Sequence, residues 1–342
     1  MKKTFYFILP ALLLTACYPD YIRDYDDGAA IYTAYQYDLR TFVLGEDASF
    51  DFTVALGGVM ENKKDRPVRV SIDNSLLSSD LSALAPDGGY GPFTAIDAFL
   101  GNGLFGTVCQ RYVTDEVKAA GITSLLPLPE SYYSVSGLDK LQIKSGRHTG
   151  VVTIHASDAI SADARVFAPY YALGFRIESA DADQVPAERS FEIIAVKCEN
   201  RFFGQWGRSG STTISDASGN VLDTQRYEES LADATVCNLV TVDAVTVNCD
   251  KMGDLPGGML LTIASDNTIS ITPTDPSVSI EPVPGEPSCF NAATLLQDRV
   301  LHLNYRYTEY GLTYTVKDVL KFRSRTRDGV LEWQDEHPEN YN

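Results

Sequence analysis

Histidine is scarce: only His148, His155, His302 and His337 occur in 342 residues, and none has the H-E-x-x-H spacing of a catalytic zinc site. The six cysteines include no C-x-x-C pair, which removes the usual signature of structural zinc. A nucleophile elbow is missing as well, because Gly207-Arg208-Ser209-Gly210 has the wrong spacing for G-x-S-x-G. No catalytic residue, metal or cofactor is therefore assigned. Basic residues are outnumbered, 28 Lys+Arg against 46 Asp+Glu, and a net charge of −18 excludes a general nucleic-acid binder, which needs a basic face. Long apolar runs are also lacking. The longest amino-terminal one covers residues 4–14, short of the roughly 20 that a membrane-spanning helix requires.

What is present places the chain among globular proteins, with 44% hydrophobic and 22% charged residues. Lys2 and Lys3 precede the apolar run, the order of a secretory signal. Leu14-Thr15-Ala16-Cys17 then looks like a bacterial lipobox, so residues 1–16 are expected to be a signal peptide and Cys17 the lipid anchor. Two or three acyl chains would hold the protein at a membrane without a basic patch. The acidic body, repelled by anionic headgroups, would stand off on the acidic, aromatic tether of residues 17–28.

Beyond the anchor the hydrophobic period is two. Phe50, Phe52, Val54 and Leu56 alternate with polar or small residues, and Val68, Val70 and Ile72 do the same. Residues 114–120 alone read as a short helix. The pattern predicts an all-β chain: an immunoglobulin-like β-sandwich over residues 29–198, then a β-barrel-like or sandwich domain over residues 199–342. Within the first lies a glycine-rich insertion near residues 78–113, read as either functional or disordered. In the second, the proline-rich residues 272–287 must be loop or edge. Separate strands are expected around residues 312–316 and 320–327, with a turn at Asp328-Gly329.

A resemblance enters at Leu128-Pro129-Glu130-Ser131-Tyr132-Tyr133, the Ile143, Gly146, Gly150, Val152, Ile154 spacing, and Tyr171-Ala172-Leu173-Gly174-Phe175-Arg176-Ile177. This block resembles the uncharacterised N-terminal domain of surface lipoproteins in Sus-like (starch-utilisation-type) glycan-uptake systems, which also precedes family-18 glycosidase modules. The position of Pro169 and the length of the insertion depart from that pattern. Phe203-Gly204-Gln205-Trp206, Leu303-Asn304-Tyr305-Arg306-Tyr307 and the stretch from Phe322 to Trp333 are similar to its common C-terminal partner domain. The resemblance implies a binding or scaffold role at the outer membrane, facing the cell exterior, beside an importer complex. It carries no catalytic motif.

Proteins hold neutral sugars by stacking aromatic rings on the apolar sugar face, while amides and carboxylates take the hydroxyls. Candidate glycan-binding residues are Trp206, Tyr310, Trp333, Tyr90 and Phe93. Lys321, Arg323, Arg325 and Arg327 alternate along one predicted strand and are expected on one face. Arg323 and Arg325 there would grip acidic sugars, or the row would pair with neighbouring carboxylates and protect an edge. Cys237 and Cys249 lie symmetrically about Asp243 and are a candidate cross-strand disulfide. The expected partner is an oligosaccharide or polysaccharide, with the membrane touched only through the lipid. A structural or adhesive protein, and a glycan hydrolase with an unrecognised carboxylate pair, are the alternatives.

Overall fold

The computed structural model describes residues 28–77, 116–117, 119–122, 125–227, 230–253, 255 and 257–335. The expectations for Cys17, the signal segment, Tyr90, Phe93 and the body of the insertion lie outside them. The chain is all-β, as its periodicity predicts.

Residues up to Asn200 form β1 (Ala30–Thr33), β2 (Tyr37–Leu44), β3 (Ser49–Gly57), β4 (Arg66–Ile72), β5 (Leu126–Pro127), β6 (Tyr133–Ser136), β7 (Gln142–Ile143), β8 (Thr149–Ala156), β9 (Tyr171–Ala180) and β10 (Phe191–Asn200). They build two sheets, β1-β3-β8-β6 and β2-β10-β9-β4-β7, with β5 added alongside β9. Alternate residues of both sheets meet in one core, where Phe52 stacks on Phe175 at 4.5 Å. β9 and β10 are buried on both faces. Their second face, Ala172, Ile193 and Ala195, is covered by Leu76, Leu77, Val117, Ile122 and Leu125, which flank the insertion. Gly174 permits this cover, because a Cβ there would lie 2.5 Å from the Asp73 carbonyl oxygen. Of the predicted helix, Glu116, Val117 and Ala119 are helical.

Residues from Gly204 onward form β11 (Gly204–Ser215), β12 (Val221–Tyr227), β13 (Thr235–Thr241), β14 (Thr246–Cys249), β15 (Met259–Ile263), β16 (Ile269–Pro273), β17 (Glu281–Pro282), β18 (Cys289–Phe290), β19 (Val300–Glu309), β20 (Leu312–Arg327) and β21 (Val330–Glu332). The antiparallel order β16-β15-β14-β13-β11-β20-β19 closes towards a barrel through β18, which pairs with β19 and bridges to Thr268. Backbone bonds from Ile269 N to Ser288 O (3.0 Å) and from Phe290 N to Asn267 O (2.9 Å) make the seam. The interior is filled, with Trp206, Leu239, Val247, Leu261, Leu303, Tyr305 and Leu320 all buried. Beyond Thr272 and Pro273, which end β16, the proline-rich stretch supplies only the two-residue edge strand β17.

The two strands expected at residues 312–316 and 320–327 are one, the 16-residue β20. Asp318, in the gap between those two expected strands, points into the barrel, where Arg208 pairs with it at 2.9 Å and the Tyr227 hydroxyl donates to it. Burial still works against the charge and, despite these partners, holds the Asp318 carboxyl above its usual range.

Candidate functional site

β20 runs on past the barrel, and its last residues turn into β21 to form a hairpin that reaches the sandwich. The turn residues Asp328 and Gly329 both have positive φ, 51° and 77°, as a two-residue hairpin loop of the type I′ kind demands. Asp328 accepts bonds from the backbone N of Thr41 (3.2 Å) and from its Oγ1 (2.6 Å), fixing the tip on β2. Behind the tip, Arg325 grips Glu46 through two bonds of 2.9 and 2.8 Å and reaches Glu332 at 2.6 Å. Arg299 adds a third bond to Glu46 at 2.6 Å. Burial works against the charge of Glu46, but the hydrogen bonds and charges of Arg325 and Arg299 outweigh it and hold its carboxyl below the usual range.

Between this hairpin and β2–β3 lies a cleft of about 670 Å³. One wall carries Arg40, Asp47, Ser49, Asp51 and Thr53; the other carries Arg327, Val330, Leu331, Trp333, Gln334 and Asp335. Trp333 is 57% exposed and braced on both sides. Glu332 before it is held by Arg325 and by Arg327 (2.7 Å), and Asp335 after it accepts from the Leu296 backbone N (2.6 Å). An exposed aromatic ring in a cleft that is also lined by carboxylates, an amide and hydroxyls can stack one side of a sugar ring while those groups take its hydroxyls.

The predicted site residues separate sharply. Trp333 faces the cleft. Trp206 does not: it is fully buried in the barrel, its indole N–H donating to the Phe202 carbonyl at 3.0 Å and its ring against Phe322 at 5.5 Å, so it offers no face to a sugar. Tyr310 is 93% exposed at the β19–β20 turn and is not part of the cleft. The basic row does not share one face. Phe322 pairs with Trp206 and Ser324 with Gln205, so Arg323 is the extra residue of a bulge that reverses the alternation. Lys321 is exposed, Arg323 half-buried, and Arg325 is turned inward into its ion network, unavailable to acidic sugars.

The disulfide expected between Cys237 and Cys249 is not formed, and both are free thiols. The hairpin turns one residue later than the symmetry about Asp243 suggests, because the Asp243 carboxylate accepts from Val245 N and Thr246 N. Cys249 consequently faces Leu239. Both thiols still point into the barrel close to one another, and the neighbouring Cys237 and burial push Cys249 up, keeping it protonated.

The wall residues Asp47, Ser49 and Asp51 escape a sequence reading. They are ordinary polar positions at and along a strand, and only the docking of a hairpin nearly 280 residues away makes them a site, as the Thr41–Asp328 bonds spanning 287 positions show.

No protein-family model matches the chain, and no curated protein does. Among solved structures, a protein of unknown function from Bacteroides ovatus is similar at 19% identity and a TM-score of 0.59, over 91% of this chain and 98% of its own. A multidomain protein including DUF1735 from Bacteroides ovatus (10% identity, TM-score 0.38, 89% and 99% covered) and an auxiliary nutrient binding protein from Bacteroides thetaiotaomicron (12%, 0.36, 87% and 96%) align over similar lengths with looser superposition. The first of these likenesses is one of fold, at a sequence identity too low to carry a role.

Proposed function

We propose that the cleft between sandwich and hairpin binds a neutral oligosaccharide or polysaccharide without cleaving it, and that the protein, anchored through Cys17, presents this cleft on the cell exterior beside an importer. The observation that carries the reading is Trp333, a large aromatic ring left more than half exposed in the cleft on a chain segment held by the ion pairs of Glu332 before it and the backbone bond to Asp335 after it. Preorganisation of this kind lowers the cost of ordering on binding. The carboxylates of Asp47, Asp51 and Asp335, on a chain of net charge −18, favour hydroxyl-rich neutral sugars over uronates or sulfates.

Electrophoresis of the purified protein in gels cast with laminarin, inulin, pullulan, xylan or galactomannan tests it. At least one polysaccharide should retard migration. Trp333→Ala should weaken that retention about tenfold or more, the effect of losing a central aromatic anchor. Its melting temperature should stay near wild type, because the ring is exposed. Retention unchanged by Trp333→Ala would contradict the reading, and release of reducing ends would favour a hydrolase.

A further inference from the structure

A second cavity of about 430 Å³ lies on the opposite flank of the β20–β21 hairpin, between the ends of β10 and β13. Lys197, Gln205, Asn238 and Val240 line it, and Lys197 is locked between Glu116 (3.1 Å) and Glu199 (3.2 Å), so no cation of this wall is left over for an acidic sugar. Arg325 and Leu331 line both cavities. The hairpin is the ridge between them. Its tip is bonded to Thr41, which closes the route beneath, whereas Thr326 and Leu331, an exposed cross-strand pair, form a low crest. Two strands are only about 4.8 Å apart, so a chain of a few sugar units spans the crest.

Exposed apolar residues mark the crossing. Trp333 and Val330 stand on the first flank, Leu331 is 63% exposed on the crest, and Val240 is 60% exposed on the far side. Val330, Leu331 and Trp333 line the first cavity and Leu331 and Val240 the second, so each cavity offers exposed apolar surface beside its polar groups.

We infer that the ligand is a polymer of neutral sugars that lies across the hairpin and fills both cavities, Trp333 holding one end and the Val240 cavity receiving later units. This rests on the glycan reading of the first cleft and adds the chain length it takes. The test is isothermal titration of the purified protein with size-fractionated hydrolysates of the polysaccharides named above. Affinity should rise at least tenfold between the shortest fragment bound and fragments several units longer. Val240→Asp, at an exposed position outside the first cleft, should remove most of that gain while leaving the shortest fragment unaffected; Trp333→Ala and Leu331→Asp, both in the wall of the first cleft, should weaken every length. Affinity that is flat with length, or long-fragment binding untouched by Val240→Asp, overturns the two-cavity inference and leaves the first cleft standing. Binding by no fragment, or binding indifferent to Trp333→Ala, overturns both.

Discussion

Glu46→Ala should destabilise the protein by about 3–5 kcal/mol, the usual result of removing one partner from a buried ion pair. Glu46 is the shared acceptor of Arg325 and Arg299, whose side chains are only 2% and 3% exposed. Without it two guanidiniums remain desolvated, and Glu332 compensates only one of them. Thermal unfolding gives the size of the effect. A double-mutant cycle of Glu46→Ala with Arg325→Leu should show strong coupling, since the double variant leaves fewer stranded charges. The effect also carries a pH signature. The folded-state pKa of Glu46 is lowered from 4.5, so its contribution is fully present above that value and is lost as pH falls through the folded pKa. Wild type and Glu46→Ala should therefore begin to converge as pH falls below about 4.5, meet only below the folded-state pKa, and stay well separated at neutral pH. A gap that is constant with pH would show that packing, not charge, dominates at Glu46. Because the network ties the hairpin to the sandwich, Glu46→Ala should also weaken polysaccharide retention although Glu46 need not touch the ligand.

Trp206→Ala is expected to cost about 3–5 kcal/mol, as for other large aromatics deleted from a packed core. The ring fills the barrel against Phe202 and Phe322, and its N–H satisfies the Phe202 carbonyl. Truncation leaves a cavity and an unpaired carbonyl oxygen together. The contrast with Trp333→Ala is informative, because one tryptophan should govern melting and the other binding. A Trp206→Ala protein with wild-type melting temperature would mean that the ring is not buried in solution.

The periodicity of two made the all-β architecture legible, because core-facing residues such as Phe50, Phe52 and Val54 alternate with solvent-facing ones. It failed where a second contact overrode it. β9 and β10 are apolar on both faces, since Leu76 and Leu125 cover the outer one. The break expected between residues 316 and 320 vanished because Arg208, 110 positions away, pairs with Asp318 inside the barrel. Trp206 and Trp333 look alike as sequence symbols, and only register assigns one to the barrel interior and the other to a cleft wall. The single-face expectation for the basic row failed for a related reason, as a bulge of one residue at Arg323 turns Arg325 inward; its alternative, pairing with carboxylates of a neighbouring strand, holds for Arg325 and Arg327, both of which meet Glu332. Local pattern fixes which residues can be inside; long-range pairing decides which partner each meets.

The chain holds two tryptophans, so Trp206→Phe leaves Trp333 as its sole indole reporter. With this variant saturated by a polysaccharide that retards it in gels, the emission of Trp333 should shift to shorter wavelength as a sugar ring displaces water from its exposed face. Emission that stays unchanged while the polysaccharide is demonstrably bound would place the ligand elsewhere and contradict a stacking platform in the cleft.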